Sequence, residues 1–135
     1  MTKIGTSLEQ SKKLIELGID VNTADMCWCI RKLQWGEINE TIIAYPMLPN
    51  QEKSGDFKFI PAWSLSALLE LLPETICFED NENDYAIEIL IENGLYYLSY
   101  GNPLEHDVIN VKPQACFFVD VCVDMIVKLH EKNLL

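Results

Sequence analysis

The sequence is short of basic residues. It has ten lysines and arginines against twenty-one acidic residues, a formal net charge of −11 and a pI near 4.4. From Phe59 to Val111 there is no lysine or arginine. A nucleic-acid-binding domain normally presents a basic face, so this balance argues against that class. It argues equally against attraction to an anionic membrane surface. It favours a basic protein as partner.

Long apolar runs are also missing. A bilayer span needs about 20 apolar residues, and no segment offers them. Met1-Thr2-Lys3-Ile4-Gly5-Thr6 has no apolar stretch behind it, so no secretory signal is expected. Thr2 rather than glycine follows Met1, and the last residues are Asn133-Leu134-Leu135, so neither common lipidation motif is present. The expectation is a soluble, cytoplasmic protein.

The cysteines lack pairing. Cys27, Cys29, Cys77, Cys116 and Cys122 are odd in number and contain no CxxC. A zinc site asks for two such pairs, or one pair with spaced histidines. All five read as reduced thiols, mostly small apolar core residues. There is no glycine-rich phosphate loop and no G-x-S-x-G elbow. No cofactor is expected.

What the chain does have is apolar mass: 49% of its 135 residues. A chain of this size buries roughly two-thirds of its unfolded surface, which suits a single globular domain over 1–135. The central stretch is Pro61-Ala62-Trp63-Ser64-Leu65-Ser66-Ala67-Leu68-Leu69-Glu70-Leu71-Leu72-Pro73. It reads as a short helix between two prolines, with Ser64 or Ser66 near its start. Apolar on nearly every side, it is expected inside the domain.

Before it, Thr6 with Glu9 or Ser7 with Gln10 forms a capping box, and Gly18 ends the first helix. Met26 to Leu33 and Thr41 to Tyr45 read as a strand pair, and 48–56 as a surface loop. After it, Thr75 to Glu79 is a short strand. Asn93-Gly94 then marks a two-residue hairpin turn. Pairing outward places Ile91 opposite Tyr96, Ile89 opposite Leu98 and Ile87 opposite Tyr100 on one apolar face. Glu88 and Glu92 fall on the other, more polar face. Residues 101–112 read as loop. A last helix starts near Pro113 and buries Ala115, Phe118, Val119, Cys122, Ile126 and Leu129. The fold class is α+β: an antiparallel sheet of about five strands with three helices packed mainly on one face.

Three pieces together carry a resemblance: Asn22-Thr23-Ala24-Asp25-Met26, the Pro61 to Pro73 stretch, and Cys122-Val123-Asp124-Met125-Ile126. They resemble a group of short uncharacterised proteins from anaerobic gut bacteria and their phages. The resemblance spans most of the chain and implies a bacterial or phage cytosolic protein. It carries no catalytic residue over.

Candidate chemistry is sparse. His106-Asp107 is the one adjacent pair suited to acid–base work, and no nucleophile lies near it in sequence. Cys27 and Cys29 share a strand face, but two thiols alone make a poor metal site. No catalytic residue is assigned. The uneven feature is the acidic tract Glu74, Glu79, Asp80, Glu82 and Asp84. It reads either as a solvated surface or as a docking face for a basic protein. The spacing is not that of a calcium loop. The expected function is a non-catalytic interaction module of phage or mobile-element type. The alternative is a small enzyme or ligand-binding domain with a pocket near Trp63 or His106.

Overall fold

A computed structural model describes residues 4–32, 36, 38–43, 53–54, 57–78, 83–104, 108–111 and 117–135. The fold is α+β, and the described residues form three α-helices and strands that all pair antiparallel. The strands form two four-stranded sheets rather than one sheet of about five. All strands of one sheet precede the central helix and all strands of the other follow it. Within the expected 1–135 domain, the chain sorts into two compact units, Ile4–Ala67 and Leu68–Leu135.

The first unit opens with α1 (Leu8–Glu16). Ser7 is its N-cap, and Ser7 and Gln10 exchange both bonds of a capping box. The helix ends as Gly18 turns to φ +90°, with Ile19 N–H returning to Leu14 O. A 3-10 turn over Val21–Thr23 leads into β1 (Met26–Lys32). This strand is central, flanked by β2 (Ile38–Ile43) and β4 (Phe57–Ala62), with β3 (Lys53–Ser54) beyond β4. β2 thus opens at Ile38, ahead of the expected start at Thr41. The rest of the expected 48–56 loop lies outside the described residues.

β4 is a strand the sequence concealed. Pro61 belongs to it and faces Cys27 across the β1 pairing, so it does not open the helix. It lies beyond the two residues that β3 covers, where a missing N–H need not break a ladder.

The central helix, α2, is Leu65–Leu71, shorter than the proline-to-proline stretch. Ser64 Oγ accepts from Ala67 N at 3.2 Å and caps it. Its first turn closes the first unit and the remainder opens the second. Ala67, Leu68 and Leu72 are buried, while Ser66 and Glu70 are exposed. It is therefore one-sided, not enclosed as expected.

In the second unit the sheet order is β5 (Thr75–Cys77), β6 (Asp84–Glu92), β7 (Leu95–Gly101) and β8 (Ile109–Asn110). The turn has Asn93 at φ 51° and Gly94 at φ 74°, the pair of positive angles that a twist-matched hairpin turn requires. The register is the expected one, from Glu92 opposite Leu95 to Ile87 opposite Tyr100. β8 adds a two-residue strand inside the expected 101–112 loop.

The helix apolar on nearly all sides is α3 (Phe118–Glu131). It buries Val119, Cys122, Ile126 and Leu129 as expected, and also Val121, Val123 and Met125, whereas Phe118, expected to be buried, is half-buried and stacks on Tyr96. Its β-branched residues do not make it a strand, because its apolar pattern continues for 14 residues, past strand length. Asp120 in its first turn and Lys128 and His130 in its last suit the macrodipole. Ala115 and the Pro113 start lie outside the described residues.

Candidate functional site

The polar residues of the first unit converge on Trp63. Thr6 N donates to Trp63 O at 2.8 Å, and Trp63 N donates to Thr6 Oγ1 at 3.1 Å. The Thr6 hydroxyl also bonds to Ser11 Oγ at 2.7 Å, and Thr6 O accepts from Trp28 Nε1 at 3.0 Å. Trp63 Nε1 donates to Thr23 Oγ1 at 2.9 Å. Next in chain, Ser64 N donates to Asp25 Oδ1 at 2.8 Å, and Ser64 Oγ donates to Asp25 Oδ2. Gly5 completes the fit, since a Cβ there would stand 2.7 Å from Trp63 O.

This network ties Trp63 and Ser64 to Thr6, Thr23 and Asp25. Ser64 Oγ already donates to a carboxylate and accepts from the α2 backbone. Among the described residues no imidazole joins it, and the partner of the hydroxyl proton is the Asp25 carboxylate. Trp63 is fully buried, and its ring fills the interior. Two of the three resemblance segments meet here, through Thr23 and Asp25 on one side and Trp63 and Ser64 on the other.

The remaining candidates divide. His106 and Asp107 lie outside the described residues, as does Cys116. Cys27, Cys29, Cys77 and Cys122 are free thiols. Burial, helped by the neighbouring Cys29, raises the Cys27 thiol, and burial pushes Cys122 up to about 12. Both are thereby kept from the reactive thiolate form. Cys77 is exposed rather than core. Among the described residues no three His, Cys, Asp or Glu side chains gather to hold a metal ion.

Of the acidic tract, Glu79, Asp80 and Glu82 lie outside the described residues. Glu74 and Asp84 are both exposed. Glu74 O accepts from Ile87 N at 3.0 Å, which leaves its carboxylate off the ladder.

Strand alternation then extends the surface. Asp84, Glu88 and Glu92 share one face of β6, and all are exposed. Their successive backbone positions stand about 13 Å apart, four residues of extended chain. The pairing puts Thr75 and Cys77 on this face, and both are exposed. Ser99, across from Glu88, is buried, so exposure falls away towards β7.

The opposite face carries Tyr85, Leu98 and Tyr100, all buried. Tyr96 on that face stacks on Phe118 of α3, ring centres 5.4 Å apart. The described basic side chains of this unit, Lys128 and Lys132, lie on α3 or just past its end. Lys128 Nζ is engaged with Asn110 O. α3 also carries Asp120, Asp124 and Glu131, so its side is mixed in charge, whereas the described charges on the other face of β6 are all acidic. Glu88 and Glu92 were placed on the polar face by the hairpin register but not counted with the site. The signal was the i, i+4 spacing of Asp84, Glu88 and Glu92 along one strand.

No protein-family model, no curated protein and no solved structure matches the chain. No helix among the described residues is long and apolar enough to cross a membrane.

Proposed function

We propose that the protein is a non-catalytic, cytoplasmic interaction module that binds a basic protein partner through the acidic face of its second sheet. The observation that carries the reading is the row Asp84, Glu88 and Glu92, exposed on one side of β6 in a stretch with no lysine or arginine. Glu74 adds a fourth exposed carboxylate in the segment leading into β5. Glu79, Asp80 and Glu82, the rest of the expected tract, lie outside the described residues, and the reading rests on none of them. Such a field accelerates encounter with an oppositely charged partner. The phage or mobile-element character rests on the resemblance of the three quoted segments.

The test uses the full chain and its Asp84→Lys/Glu88→Lys variant. Each is immobilised and exposed to a bacterial extract, and a retained protein is purified for kinetics. The expected outcome is a basic protein whose association with the wild type slows as salt rises, and slows again with the variant. Retention of no basic protein, or a rate indifferent to both salt and variant, would contradict the reading.

A further inference from the structure

The outer side of β6 is only partly used. β5 covers Asp84, Tyr85 and Ala86, and Glu74 O takes the N–H of Ile87. Among the described residues no strand pairs with the outer side of Glu88 to Glu92.

Hairpin geometry decides which backbone groups face that edge. Glu92 and Leu95 flank the two-residue turn, so they form a hydrogen-bonded pair, and bonded pairs recur at Leu90 and Glu88. The N–H and C=O groups of Ile87, Ile89 and Ile91 therefore point outward. The bond from Ile87 N to Glu74 O confirms this parity. Two residues, Ile89 and Ile91, are left with both backbone groups outward. Their side chains, on the face where α3 meets Tyr96 of the neighbouring β7, are 48% and 65% exposed. An open edge with exposed aliphatic side chains is what natural sheets usually blunt or cover.

We propose that Glu88 to Glu92 of β6 accepts an extended segment of a basic partner as an added strand, in line with β5. The backbone of Ile89 and Ile91 supplies the ladder, and their side chains take aliphatic residues of the segment. Glu88 and Glu92, on the other face at the two ends, take lysine or arginine directly opposite. The matching pattern is basic, aliphatic, any, aliphatic, basic. Main-chain bonds with alternate side-chain selection are the usual mode of strand addition.

Charge selects this occupant over a second copy of the chain. Antiparallel self-pairing that uses both Ile89 and Ile91 centres on Leu90. It sets Glu88 of each copy opposite Glu92 of the other, and like charges directly opposite destabilise a sheet. The basic character of the segment rests on the acidic-face reading above, whereas the strand pairing rests on the edge.

The test titrates the full chain with the end-blocked peptide Lys-Ile-Thr-Ile-Lys, following backbone amides by NMR. The Ile89 and Ile91 amides are expected to shift and to slow in hydrogen exchange. Methylating the two isoleucine nitrogens of the peptide should weaken binding about tenfold, the worth of two lost backbone bonds. An N-methylated peptide that binds equally well would overturn strand addition and leave only charge attraction to the acidic face. A neutral Thr-Ile-Thr-Ile-Thr peptide that binds as tightly as the lysine peptide would uphold strand addition and overturn the acidic-face reading. Protection of Ile89 and Ile91 in the protein alone, rising with its concentration, would overturn the basic segment in favour of a second copy.

Discussion

The two faces of β6 and β7 are made by alternate residues of the same hairpin, yet they differ in almost every physical respect. One face carries Tyr85, Leu98 and Tyr100 in the interior, with Tyr96 against α3. The other carries Asp84, Glu88 and Glu92 in water. The first face stabilises the fold by burial, roughly 1.5–3 kcal/mol for each large apolar side chain. The second contributes little stability and is free to be charged. A two-residue period thus lets one strand hold the fold and present a surface together.

The sharpest test of this contrast runs along the apolar face itself. Leu98 is buried, whereas Ile91, on the same face near the turn, is exposed. Leu98→Ala should lower stability by about 2–5 kcal/mol. Ile91→Ala should change it by less than about 0.5 kcal/mol. Denaturant unfolding of both variants measures the difference, and equal losses would show that the covered face extends to the tip.

A smaller loss is expected at the turn that sets the register. Gly94 stands at φ 74°, which a β-branched side chain resists. Gly94→Val should cost about 1–3 kcal/mol in the same measurement. An unchanged midpoint would mean that the faces are aligned by packing alone.

The covered face also predicts a loss of stability in alkali. Burial, with a further push from Cys122, raises Tyr100 to about 12, and its hydroxyl donates to Pro73 O at 2.7 Å. Burial raises Cys122 to about 12, against about 8.5 for a free thiol. Both folded values exceed the unfolded ones, so the folded state keeps protons that the unfolded state releases. Stability is full below about pH 8.5 and falls above it, first through Cys122 and the likewise raised Cys27, and then, above about pH 10, through Tyr100. The slope reaches about 1.4 kcal/mol per pH unit for each group. Unfolding measured from pH 7 to 10.5 should show the fall, and Cys122→Ala should flatten its first part. A curve rising with pH would contradict the burial of these groups.

How much of this was legible in the sequence depended on the kind of signal. The hairpin register followed from Asn93-Gly94 and the alternation of Ile87, Ile89 and Ile91, because turn chemistry and a two-residue period are local. Depth was not local: the pattern put Ile89 and Ile91 with Leu98, but nothing in it said that α3 packs on β7, where Tyr96 meets Phe118, while Ile89 and Ile91 of β6 are exposed. Proline misled at Pro61, which closes an edge-facing strand as readily as it opens a helix. The enclosed helix was sought at Leu65–Leu71 because leucine is dense there, while α3 encloses more with valine, methionine and cysteine. The bonds around Trp63 were invisible, since Thr6, Thr23 and Asp25 reach it from distant parts of the chain. In the acidic tract the charge was plain, but the row that Asp84 makes with Glu88 and Glu92 emerges only from strand alternation.

The measurement that bears most directly on the separation of the two faces combines stability and association in one variant. Asp84→Lys/Glu88→Lys changes only exposed positions, so its unfolding midpoint should stay with the wild type, within about 0.5 kcal/mol. Its association with the captured basic partner at low salt should fall to the slower rate that the wild type shows at high salt. A lost midpoint would show that the acidic face is needed for the fold. A normal midpoint with an unchanged association rate would show that the partner is held elsewhere.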